Sequence, residues 1–186
     1  MAFAHSTKSM ALGTRAPAFT LPATDGRSYS LDDFAAAKAL VVIFTCNHCP
    51  VARAYEDRLV RLQADYAPRG AQLVAINPND DAGYPEDSFE AMIERAREKQ
   101  FNFPYLRDES QAVARAYDAA CTPDVYVFDA ERRLVYNGRV DDDWKDEANV
   151  KRRDLRAVLD AVLAGRSPEL PDLFPAMGCS IKWKKK

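Results

Sequence analysis

Thr45-Cys46-Asn47-His48-Cys49-Pro50 is the segment whose residue types and spacing carry the clearest chemistry. Two cysteines with two residues between them can close a disulfide where a helix begins, and a thiolate in such a pair attacks other disulfides. A helix N-terminus offers unpaired N–H groups and the positive end of the helix dipole, both of which favour an anion. The expectation is thiol–disulfide exchange, with Cys46 at the helix terminus as attacking sulfur and Cys49 as resolving sulfur. His48, when protonated, would stabilise the Cys46 thiolate and make the disulfide more oxidising, by roughly 30 mV for each 1.4 kcal/mol. The competing reading is half of a zinc site. Zinc takes four ligands, the other soft ligands are His5, Cys121 and Cys179, and there is no second C-x-x-C. Neither a metal nor another cofactor is assigned.

The flanking sequence supplies elements able to hold this motif. Leu40 to Phe44 is an unbroken apolar run, as in a strand buried on both faces. Pro50 suits the first turn of a helix, and Val51, Tyr55, Leu59, Leu62 and Tyr66 then mark one helical face until Pro68-Arg69-Gly70. Leu73 to Ile76 is a second buried strand. Strand, helix, strand predicts a βαβ unit with a right-handed crossover. Asp87 is expected to cap a further helix, with Glu90 closing a capping box and Phe89, Met92, Ile93 and Ala96 facing inward. Val125 to Phe128 should pair with Leu134 to Tyr136. A last helix runs from Leu155 to Leu163 and stops at Gly165. Asp25-Gly26 marks a hairpin near the start. Residues 1–12 read as a flexible arm, 13–167 as one α/β domain with a mixed sheet, and 168–186 as an extension carrying Cys179 and a basic tail.

Composition narrows the function classes. The chain has 186 residues, a net charge of −2 and 47% hydrophobic residues, which describes a globular domain and argues against nucleic-acid or membrane-surface binding. Four cysteines are too few for a disulfide scaffold of this length. The N-terminus lacks the charged start and apolar run of a secretory signal, so the expected location is cytoplasmic. Asp141-Asp142-Asp143 and the lysines around Trp183 are expected to be solvated.

Several motifs together resemble a known family. Leu12 to Pro22, the Thr45-to-Pro50 motif, the stretch from Tyr117 to Asp129 around Cys121-Thr122-Pro123-Asp124, and the ending Gly178-Cys179-Ser180-Ile181-Lys182-Trp183-Lys184 are similar to the thioredoxin-like superfamily. Within it they resemble the alkyl-hydroperoxide-reductase/thiol-specific-antioxidant, or redoxin-domain, branch. The resemblance implies a thioredoxin-like fold: a central mixed β-sheet flanked by helices, with an N-terminal β-hairpin and a C-terminal extension. It implies a cis Thr122–Pro123 bond facing the dithiol, with the preceding backbone pairing to substrate as an added strand. Cys121 would then lie near the active face and Cys179 could fold back to it, as a second redox pair or as two independent thiols.

This sequence also departs from the pattern. Thr45 stands where thioredoxins carry tryptophan. Leu40 occupies the stretch that often holds a buried acid, and Glu56 is expected at the surface. The proline-x-x-x-threonine-x-x-cysteine pattern of peroxiredoxins is missing at Cys46. The leading expectation is a thiol:disulfide oxidoreductase acting on a protein or small-molecule disulfide, renewed by a dithiol reductant, as a monomer or weak dimer. The alternatives are a thiol peroxidase and a metal carrier or redox sensor using Cys46, His48 and Cys49.

Overall fold

The computed structural model describes residues 3–6, 10–169 and 174–185. Strand β1 is Phe3–His5, and β2 (Thr20–Pro22) pairs antiparallel with β3 (Ser28–Ser30) in the expected hairpin. Then come β4 (Ala39–Phe44), α1 (Pro50–Tyr66), β5 (Ala71–Asn77), α2 (Phe89–Glu98), β6 (Tyr105–Arg107), α3 (Ala112–Ala116), β7 (Cys121–Thr122), β8 (Asp124–Phe128), β9 (Leu134–Gly138), α4 (Asp154–Leu163) and β10 (Met177–Ser180). The central sheet has the order β6-β5-β4-β8-β9. β4, β5 and β6 run parallel, whereas β8 and β9 are antiparallel to their neighbours, so the sheet is mixed.

β4 is apolar throughout because both of its faces are covered. Val41 and Ile43 pack on one side with Tyr55, Leu59 and Leu62 of α1 and Leu155 and Val158 of α4. Leu40, Val42 and Phe44 pack on the other with Phe19, Leu21 and Tyr117. Such two-sided burial anchors the end of β4, from which the Cys46 loop departs.

A second, three-stranded sheet in the order β1-β10-β7 lies at the functional end. Part of the arm read as flexible is therefore strand: Phe3–His5 pair with Met177–Cys179. The basic tail is also docked rather than simply solvated. Lys182 is bonded through its backbone to Asn79 and Asp80, Lys184 N–H donates to Gln111 Oε1, and the Arg115 guanidinium lies 4.3 Å from the Trp183 ring. Asp141 likewise departs from expectation. It is buried, accepting from both Arg58 and Tyr55, because a carboxylate inside the protein requires paired donors. Among the described residues no helix is long and apolar enough to cross a membrane.

Candidate active site

The expectation for Cys46 requires a correction. Helix α1 begins at Pro50, and its N-cap is Cys49, with extended backbone angles of −76° and 122°. The helix terminus therefore serves Cys49, not Cys46. All four cysteines are buried thiols. Cys46 and Cys49 lie beside one another, and Thr122 touches both: Cys46 Sγ is 3.0 Å from Thr122 Oγ1, and the Cys49 thiol donates to Thr122 O at 3.2 Å. The Thr122–Pro123 peptide is cis.

The two sulfurs have opposite electrostatic surroundings. Burial pushes the Cys46 thiol well up, and the neighbouring Cys49 and the negative charge of Asp87 add to the rise. Cys49 is held below the ordinary thiol range. The Cys46 thiol contributes most, burial opposes, and donors from Cys179 and the Ala52 backbone assist. The two sulfurs titrate as a coupled pair, and the first proton leaves more readily from Cys49, at the loss of its thiol's bond to Thr122 O.

Asp87 is the site residue that sequence reasoning misplaced. Ser88, not Asp87, caps α2, accepting from Ala91 N–H at 3.2 Å. Asp87 turns inward, fully buried. It accepts Asn47 N–H at 2.6 Å, Asn77 Nδ2 at 3.2 Å and Asn79 Nδ2 at 2.9 Å, and lies 2.5 Å from His48 Nδ1. Burial pushes its carboxyl up, but these hydrogen bonds outweigh it and leave the group below the usual carboxylate range. No local signal marks it, because Asp87 with Glu90 three residues on matches a helix-cap pattern. The His48 ring stacks on Tyr84 at 4.4 Å between centroids. It lies beside Cys46 and is tied to the loop through Asp87.

Three further expectations resolve differently. Glu56 is buried and paired with Arg95 of α2 at 2.9 and 2.5 Å, so it is committed to an ion pair rather than exposed. Cys121 and Cys179 do not form a pair. Cys179 stands opposite Thr122, and Cys121 opposite Ser180. Side chains alternate faces along each strand, so the two thiols point to opposite sides of the β7–β10 ladder and cannot be bridged without backbone movement. Finally, the Thr122 edge that the resemblance assigns to substrate is already filled by β10.

A cavity of about 250 Å³ opens at Pro123, lined also by Tyr55, Val125, Arg139, Trp144 and Met177. Among the described residues, Cys46, His48 and Asp87 are the group able to hold a metal, with ligand atoms within 4.8 Å of one another. Asp87 thus takes the place expected for Cys49 in such a set. Binding would compete with the amide donors that Asp87 already accepts.

A paired cysteine motif between a buried parallel strand and its crossover helix, set against a cis-proline loop, defines a thioredoxin-like redox protein. The Redoxin family model matches residues 11–159, and the chain belongs to that family. It is similar over its whole length to an uncharacterized conserved protein of Geobacillus kaustophilus, with 46% identity, a TM-score of 0.94 and 98% of that chain covered. A Mycobacterium tuberculosis protein named "Putative peroxiredoxin Rv2521" is 27% identical over 143 residues, covering 75% of this chain and 83% of that protein. The thioredoxin domain of a Bacteroides vulgatus thiol-disulfide oxidoreductase shares the fold, at 22% identity and a TM-score of 0.60, over 69% of this chain and 89% of that domain. Membership of that family places the chain among redox proteins.

Proposed function

We propose that the protein is a thiol:disulfide oxidoreductase working through Cys46 and Cys49. The observation that carries this reading is the adjacency of the two sulfurs, with Thr122 contacting both. A proton passes from Cys46 to Cys49, and the Cys46 thiolate attacks one sulfur of a substrate disulfide. A Cys46–substrate bond forms and the first substrate thiolate leaves, taking up a proton. Cys49, again deprotonated, attacks Cys46 and releases the second substrate thiolate, which takes a proton from water. Two protein thiols become one disulfide, two substrate thiols are released, and an external dithiol restores the pair. Asp87 and His48 act as positioning residues by fixing the loop that carries Cys46.

The reading is tested by reducing insulin disulfides with wild type, Cys46→Ser and Cys49→Ser. Cys46→Ser is expected to lose turnover, and Cys49→Ser to accumulate a mixed disulfide on Cys46. Wild-type turnover in Cys46→Ser would refute the reading. A second reading, thiol peroxidase, draws on the name of the mycobacterial relative. It would be favoured by consumption of hydroperoxide at Cys46 without insulin reduction.

A further inference from the structure

The face of β7 that bears Thr122 also receives Cys179, which brings a third sulfur to the dithiol. Cys179 is the register partner of Thr122, whose carbonyl accepts the Cys49 thiol at 3.2 Å. The Cys179 thiol and its backbone N–H both face the Cys49 sulfur. Cys46, Cys49 and Cys179 share one buried cluster, and Cys121 is not part of it.

The approach depends on one residue. A Cβ on Gly178 would lie 2.0 Å from Thr122 O and 2.5 Å from Thr122 C. Glycine alone lets β10 lie this close to the cis-proline loop. The strand occupies the main-chain edge where an added substrate strand would pair. It thus presents a cysteine of the chain itself where a substrate cysteine would stand.

We propose that Cys179 is a third redox-active cysteine, which exchanges with the Cys46–Cys49 disulfide to give a Cys49–Cys179 disulfide and to return Cys46 as a thiol. The inference rests on the exchange reading above. Cys179 loses its proton as its sulfur attacks Cys49 Sγ. The Cys46–Cys49 bond breaks, and Cys46 leaves as a thiolate that takes up that proton. The oxidising equivalent stays within the three sulfurs, so no outside oxidant or reductant enters the step. The product staples β10 to the start of α1 and leaves Cys46 ready for another disulfide.

The test treats the full-length Cys46→Ser protein with oxidised glutathione, quenches with acid and maps disulfides by mass spectrometry. Cys46→Ala is run in parallel, so that no single substitution decides the folding. The Cys49–Cys179 peptide is expected to exceed Cys49–glutathione by about tenfold, the advantage of an intramolecular partner held in place. Glutathione on Cys49 with Cys179 still alkylatable, or Cys179 bonded to Cys121, would overturn the inference. Wild type treated alongside separates the two claims. If it forms neither a Cys46–Cys49 nor a Cys49–Cys179 disulfide, the exchange reading fails. If it forms that disulfide while both variants leave Cys179 unpaired, only this inference fails.

Discussion

The two flanks of the dithiol are built from different material. On the Cys46 side the scaffold centres on one side chain: the Asp87 carboxylate gathers the Asn47 backbone N–H and the side chains of His48, Asn77 and Asn79. On the Cys49 side it is largely backbone: the N-cap of α1, the Thr122 carbonyl, and β10 laid against β7. A side-chain scaffold can be retuned one group at a time. A backbone scaffold has no such tolerance, since one added methyl displaces a whole strand. The contrast also fits the charges, because the carboxylate opposes ionisation of Cys46 while N–H and S–H donors favour it on Cys49.

The broadest effect, on stability and thiol exposure together, is expected on the backbone flank. Gly178→Ala should cost ~3 kcal/mol, as overpacking against immovable backbone does, and should expose Cys179 to alkylating agents. Denaturant unfolding together with timed alkylation reads both. Unchanged stability would mean that β10 is not held closely against Thr122.

Asp124, beside the cis-proline, comes next. It is buried, and burial raises its carboxyl to about 7 despite hydrogen bonds from Asn137, the Ala120 amide and Tyr126. The folded state thus holds a proton that the unfolded chain has already released above its ordinary carboxylate value. Stability is fully retained below that ordinary value and is lost as pH rises toward 7, by up to roughly 4 kcal/mol. Asp124→Asn should flatten this slope in denaturant midpoints measured from pH 4 to 8. An equally steep slope in the variant would assign the pH dependence to another group.

The smallest effect belongs to the side-chain flank. Asp87→Asn preserves an acceptor for the Asn47 amide but removes the charge facing Cys46. The second thiol ionisation should move to lower pH, by about tenfold in proton concentration, at a stability cost of ~1–3 kcal/mol for the disturbed buried hydrogen bonds. Thiolate absorbance and chemical unfolding measure the two. A shift to higher pH would reverse the role given to the carboxylate.

The central sheet and its crossover were legible in the sequence because their signals are local: an apolar run at Leu40–Phe44, a helical stripe from Val51 to Tyr66, and punctuation at Pro68-Arg69-Gly70. The dithiol was legible from its spacing together with its place between a buried strand and a helix. What was not legible depends on distant partners. Asp87 matches a helix-cap pattern, but the loop at Asn47, 40 positions away, joins Asn77 and Asn79 in holding it inward, and Ser88 caps α2 instead. Glu56 and Asp141 carry no local sign of the arginines that bury them. β1 and β10 are short strands from opposite ends of the chain, each meaningful only beside the other. Whether Cys121 and Cys179 pair or stand apart turns on parity, since adjacent positions on a strand face opposite ways and sequence does not reveal register across it.

The central claim is that Cys46 and Cys49 titrate as a coupled pair, with Cys49 ionising first. Its most direct test is the pH titration of thiolate absorbance in the reduced wild type, Cys46→Ser and Cys49→Ser. The expected result is a first ionisation in the wild type well below the ~8.5 of an ordinary thiol, lost in Cys49→Ser. A first ionisation at the ordinary value in the wild type, or one that survives in Cys49→Ser and disappears in Cys46→Ser, would contradict it.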